Sequence, residues 1–138
     1  MVQDRPFEDI IIGERASFSK TISEADVYAF AGICGDFNPV HVNEVEASKS
    51  RFKGRIAHGL LTASLISTVL GTALPGKGTV YLGNQISFWA PCYIGDTLTA
   101  EVEVVEKRED KRVLVMKTRV LNQSGKVVID GQAIVMKP

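Results

Sequence analysis

The segment Gly35-Asp36-Phe37-Asn38-Pro39-Val40-His41 sets a carboxylate and an imidazole five residues apart in a stretch whose first half is too turn-rich for helix. On an uninterrupted helix Asp36 and His41 would lie on different faces. Pro39 prevents that: it disfavours helical geometry at Asn38, removes a backbone donor and bends the chain sharply. A turn of this kind can bring Asp36 and His41 toward one point. An Asp beside a His can hold the imidazole in one tautomer, or share with it the movement of protons near neutral pH. The spacing by itself leaves a structural reading equally open, with Asp36 closing an Asx-turn and His41 a satisfied polar group.

The other histidine opens an apolar segment, Ile56-Ala57-His58-Gly59-Leu60. Gly59 has no side chain, so a substrate carbonyl could approach its N–H, and a helix N-terminus presents unpaired N–H groups with a positive dipole. That combination suits an oxyanion hole for a thioester whose carbonyl gains enolate character. The competing reading of Gly59 is close helix packing, and His58 reads first as a capping or structural residue. Gly76-Lys77-Gly78 lacks the spacing of a phosphate loop and follows no strand, so it reads as a helix-to-strand turn, with Lys77 a candidate contact for a CoA phosphate. Two histidines and no further carboxylate cluster supply no metal-ligand set, and no cofactor is expected.

Positioning these groups requires a scaffold that the patterning outlines. Residues 8–14 form a lead-in turn, and Arg15 to Thr21 alternates as a first strand. Ser23 offers an N-cap with Asp26 three residues on, helical spacing follows through Cys34, and Gly35 is a C′ stop. Asn43 to Ser50 reads as a short exposed helical piece. Ile56 to Leu74 is apolar or small around nearly its whole circumference, the signature of a buried central helix, and Pro75-Gly76 ends it. From Thr79 the period becomes two: Thr79–Trp89, Thr97–Lys107, Val113–Asn122 and Lys126–Met136 are rich in β-formers and joined by short turns, hence antiparallel. Glu101, Glu103 and Glu106 alternate with Val102, Val104 and Val105, implying one wet and one packed face. The charge run Glu106–Arg112 reads as a solvated hairpin tip. The economical arrangement is a curved sheet wrapped around the apolar helix, with an edge that pairing across a two-fold axis could cover.

Composition bounds the partners. A chain of 138 residues, 45% apolar and 23% charged, suits one domain over 1–138 with its own core. Sixteen basic residues balance sixteen acidic ones, so no domain-wide footprint for nucleic acid or anionic lipid exists. No apolar run approaches the ~18 residues that span a bilayer, and the N-terminus shows neither a basic n-region nor an apolar h-region, so a cytoplasmic protein is expected. Cys34 and Cys92 are expected to be small buried hydrophobes.

Four stretches together resemble the (R)-specific enoyl-CoA hydratases, the MaoC-like or hydratase-2 family. They are Tyr28 to His41 with Ala47 beyond it, Ala57-His58-Gly59-Leu60-Leu61-Thr62-Ala63-Ser64, Leu74 to Gly83, and Phe88-Trp89-Ala90-Pro91-Cys92-Tyr93-Ile94-Gly95-Asp96-Thr97-Leu98. The hydratase motif occupies 28–47. The resemblance implies an α+β hot-dog fold, about five antiparallel strands around a long buried central helix (about 56–74), and a homodimer. It implies Asp36 and His41 as the catalytic pair, Gly59 as oxyanion-hole donor, and Asn38 and Ser67 as supporting polar residues. The implied reaction is reversible hydration of a trans-2-enoyl-CoA to an (R)-3-hydroxyacyl-CoA. Dehydration on an acyl carrier protein is the alternative, for which Lys49, Arg51, Lys53 and Arg55 would form a basic mouth. An acyl-CoA thioesterase or a non-catalytic acyl-CoA-binding subunit comes next.

Overall fold

In the computed structural model, which describes residues 1–138, a 3-10 turn at Phe7–Asp9 leads into β1 (Arg15–Thr21), α1 (Glu24–Cys34), α2 (Pro39–Val42), α3 (Glu44–Lys49) and α4 (Gly59–Thr72). Four strands follow: β2 (Val80–Phe88), β3 (Thr97–Arg108), β4 (Val113–Leu121) and β5 (Val127–Met136). All five strands form one antiparallel sheet in the order β1-β3-β4-β5-β2. α4 packs on that sheet and touches β1 through β4.

Local chemistry explains the elements around the site. Ser23 is extended (φ −96°, ψ 164°), and its hydroxyl accepts from the Asp26 N–H while the Asp26 carboxylate accepts from the Ser23 N–H, a complete capping box with Asp in the acidic position. At the other end Gly35 adopts φ +82°, the left-handed region that closes a helix, and stops α1 one residue before Asp36. Pro39 does not end a helix but begins one, α2. At that position its missing N–H satisfies nothing in any case, and Asn38 caps the turn through its side chain.

The core forms where α4 meets the sheet. Leu61, Leu65, Ile66, Val69 and Leu70 are buried against Leu98, Ala100, Val102 and Val104 of β3 and Leu114, Met116 and Val120 of β4. The central helix is not buried all round: Leu60, Ser64, Ser67 and Gly71 are exposed in the single chain, because the sheet covers one side only.

Two further readings change. Val105 is 41% exposed, because a β-bulge between Val104 and Glu106 shifts the register and takes it off the packed face. The charge run after it does more than meet solvent. Lys107 donates to the Glu8 and Ile10 carbonyls, Arg112 pairs with Glu8, and both cations lie over the buried Phe7 ring, at 4.6 and 4.9 Å from its centroid. The run therefore clamps the N-terminal turn. Cys34 is exposed, whereas Cys92 is buried, and that burial pushes its thiol up to about 12.

Ile66 is 1% exposed at the centre of this core. Ile66→Ala should lower unfolding free energy by about 2–5 kcal/mol, the range for a truncation that leaves a cavity, read as a lower urea midpoint with unchanged slope.

Candidate active site

The Asp36-to-His41 loop folds on itself through its own polar groups. The Asn38 N–H donates to Asp36 Oδ1 at 3.1 Å, and Asn38 Oδ1 accepts from the Val40 N–H at 3.3 Å. The Asx-turn and the convergence are thus one feature, not rivals: the turn that engages Oδ1 leaves Oδ2 facing His41. The distance from Asp36 Oδ2 to His41 Nε2 is 3.9 Å. That is beyond a direct hydrogen bond.

His41 is buried and its ring is fixed from behind. Its Nδ1 lies 2.7 Å from the Ile56 carbonyl oxygen. A carbonyl can only accept, so Nδ1 carries the hydrogen and Nε2 is the nitrogen turned to Asp36. Ile56 is itself held, its N–H donating to the Val40 carbonyl, while the Ala57 N–H donates to Cys92. The two strands of this small clasp bring α2, the approach to α4 and the loop after β2 together.

His58 sits where the sequence did not place it. It is the N-cap residue of α4, yet its side chain makes no capping bond. Instead its ring stacks on His41 (centroids 3.9 Å, planes 28° apart) and its Nε2 lies 2.8 Å from the Asp36 carbonyl oxygen. The signal that could have found it is the pairing of the two histidines with one acid in so short a chain. Asp36, His41 and His58 bring ligand-type atoms within 4.8 Å of one another. Stacked rings turn their edges side by side rather than toward one centre, however, and each imidazole already gives one nitrogen to a backbone carbonyl. The cluster is built for hydrogen bonding more than for holding an ion.

Gly59 is the first residue of α4, and its N–H donates to no backbone carbonyl. A Cβ there would stand 2.7 Å from Cε1 of Phe88, which supports the packing reading: the Phe88 ring occupies the space a side chain would need. Two cavities meet at His41, Gly59 and Phe88. One, of about 310 Å³, is mainly apolar and runs between Phe52, Trp89 and Pro91, with Arg51 beside it. The other, of about 530 Å³, holds Asp36 and His58. Thr62, one turn beyond Gly59, lines the first and donates to the Gly59 carbonyl at 2.6 Å.

Ser67 is not brought to the pair. It is exposed and lines neither cavity. Eight residues of helix separate it from Gly59, a rise of about 12 Å and a rotation of about 80°. Lys77 lies beyond the far end of α4, its carbonyl accepting from Lys137 and its N–H donating to Gln3, well away from Gly59.

Residues 10–125 match the model of the MaoC-like domain. The chain is 52% identical to an (R)-specific enoyl-CoA hydratase of Rhodospirillum rubrum, over 96% of this chain and 91% of that protein. It is 44% identical to an (R)-specific enoyl-CoA hydratase of Aeromonas caviae, over 95% and 98%. Among solved structures, an unliganded R-hydratase from Pseudomonas aeruginosa superposes with a TM-score of 0.94 at 45% identity, covering 99% of this chain and 88% of that one.

Proposed function

Because the chain belongs to the MaoC-like domain family and has the family's hot-dog fold, we propose that it reversibly hydrates trans-2-enoyl-CoA thioesters to (R)-3-hydroxyacyl-CoA, with Asp36 and His41 as the acid–base pair. The observation that carries the assignment of residues is the 3.9 Å gap between Asp36 Oδ2 and His41 Nε2. It is too long for the two to bond each other, and a water oxygen set to the side of the gap, about 2.8 Å from each, could bond both. Water gives up a proton to the pair as its oxygen bonds to C3, and the pair returns a proton to C2. Because His41 Nδ1 is committed to Ile56, Nε2 is the atom that gains and loses the proton on the histidine side. Negative charge that builds on the thioester oxygen is met by the Gly59 N–H at the positive end of α4. The apolar cavity beside Phe52 and Trp89 takes the acyl chain, and Asn38 supports the pair by holding Asp36 Oδ1.

The alternative with a carrier protein needs a basic surface. Lys49 pairs with Glu46, and Arg55 is held by Glu24, Glu44 and Tyr28, so only Arg51 and Lys53 remain without a carboxylate partner. Two free cations suit the phosphates of CoA better than an acidic protein face. A thioesterase or a binding-only subunit would leave the paired Asp36 and His41 without a task.

We also propose a homodimer joined at β2. This edge strand is exposed on both faces, with Leu82 standing out of register at a bulge and 52% exposed, and Leu60, Phe88 and Trp89 continue the apolar surface to the site. No helix of the structure is long and apolar enough to cross a membrane.

Three outcomes test these readings. Asp36→Asn and His41→Gln should each lower kcat for crotonyl-CoA hydration by about 10²–10⁴-fold with circular dichroism unchanged; wild-type rates in either folded variant would remove the pair from the mechanism. Gly59→Ala forces the Phe88 ring into the cavities and should lower kcat/KM by about ten- to a hundredfold while the melting temperature stays close to wild type. In sedimentation, the protein should run at twice its 15.0 kDa chain mass, and Leu82→Asp should shift it to monomer with loss of activity; a monomeric active wild type would end the dimer proposal.

A further inference from the structure

The buried imidazole of His58 has no part in the reaction as derived above. We infer that His58 is a positioning residue for the Asp36/His41 pair, joining the Asp36 main chain to the His41 ring and so setting the gap in which water is activated. The inference rests on the hydration reading and deepens it.

His58 is 2% exposed, and its place in the fold does not call for an imidazole. As the N-cap of α4 it leaves the helix uncapped by its side chain. Its Nδ1 is buried with no hydrogen-bond partner. A phenyl ring would fill the same space without leaving a polar atom unsatisfied, so packing alone disfavours histidine here. What histidine adds is one donor. Its Nε2 faces the Asp36 carbonyl oxygen at 2.8 Å, and a carbonyl can only accept, so the hydrogen is on Nε2. A hydrogen on Nδ1 would have no acceptor. The geometry therefore selects the Nε2–H tautomer.

That single bond matters because it is what holds the Asp36 main-chain carbonyl, whereas the Asn38 N–H holds only the side chain. No backbone N–H reaches the Asp36 carbonyl, its side chain is half exposed, and it follows Gly35 in a left-handed turn. The same ring stacks on His41 with centroids 3.9 Å apart, and Phe30 packs against it at 4.9 Å. One residue thus references both reacting groups to the start of α4, where the Gly59 N–H also lies. Such a link controls geometry without touching substrate, and a displacement near 1 Å costs on the order of a hundredfold in rate.

The test separates the two contacts. His58→Phe keeps a ring against His41 and removes the donor; His58→Gln keeps a donor toward Asp36 and removes the ring. We expect His58→Phe to lower kcat for crotonyl-CoA hydration by about ten- to a hundredfold with KM within about twofold, and His58→Gln to regain at least about tenfold of that loss, as the restored donor returns the geometry. A folded His58→Phe with wild-type kcat, or a Gln variant no faster than the Phe variant, would overturn the inference. Nitrogen-15 NMR of the unmodified protein judges it without any variant: His58 should show the Nε2–H tautomer, and a hydrogen on Nδ1 would overturn it. A wild-type chain without hydration activity would sink the proposed reaction and leave the NMR result as the judge of the geometry.

Discussion

The three residues Ile56-Ala57-His58 are the constraint on which the rest of the site depends. The Ile56 N–H is tied to Val40 and its carbonyl takes the His41 Nδ1 hydrogen; the Ala57 N–H is tied to Cys92; His58 reaches the Asp36 carbonyl and then opens α4. Four bonds of ordinary strength, each worth about 1 kcal/mol net, therefore fix the relation of loop, helix and strand connection. Their importance lies less in energy than in direction. Hydrogen bonds are orientation-dependent, and these leave few arrangements of the two imidazoles and the carboxylate.

The clasp can be this short because the core places its ends. α4 is held down by Leu65, Ile66, Val69 and Leu70 against β3 and β4, which fixes the height of Gly59 and His58 above the sheet. Cys92 follows β2, the strand that pairs with β5 at the sheet's edge, so the loop carrying it arrives beside Ala57. Phe88, the last residue of that strand, then lies over Gly59 where no Cβ intervenes. The absence of a side chain at one position thus serves two ends: it admits a ring that walls the cavity, and it leaves an N–H free at the helix terminus.

Much of this was legible in the residues wherever the cause was local. The alternation from Arg15 to Thr21 gave β1 its bounds, the Ser23/Asp26 box gave α1 its start, and Gly35 its end. The approach of Asp36 to His41 follows from Asn38 and Pro39, neighbours in the chain. Tertiary effects were not legible. The bulge that exposes Val105 obeys the pairing of β3 with β4, and the open face of α4 depends on which side the sheet covers. Ser67 was assigned by resemblance to a place that helix geometry within one chain does not give it. His58 was read only as a capping or structural residue, with no partner named, because only folding brings residue 36, residue 41 and residue 58 together. A helix-initiating position looks the same in a sequence whether its side chain turns inward or back on its own helix.

The way His41 is backed bears on the direction of the proposed chemistry. In many acid–base pairs a carboxylate stands behind the imidazole and holds the charge that forms when the ring takes a proton. Here a neutral carbonyl stands behind it, and the carboxylate stands in front, on the side of the reacting water. A carbonyl orients the ring and fixes its tautomer without supplying a counter-charge. The proton taken by Nε2 is therefore stabilised from the same side from which it must be returned, within 3.9 Å of the other reacting group. For a reaction that runs in both directions, that is the useful arrangement: neither hydration nor dehydration begins from a proton held far from substrate. His58 completes it by joining the front group to the ring through the Asp36 main chain, so that the distance between acid and base is set by the fold and not by two free side chains.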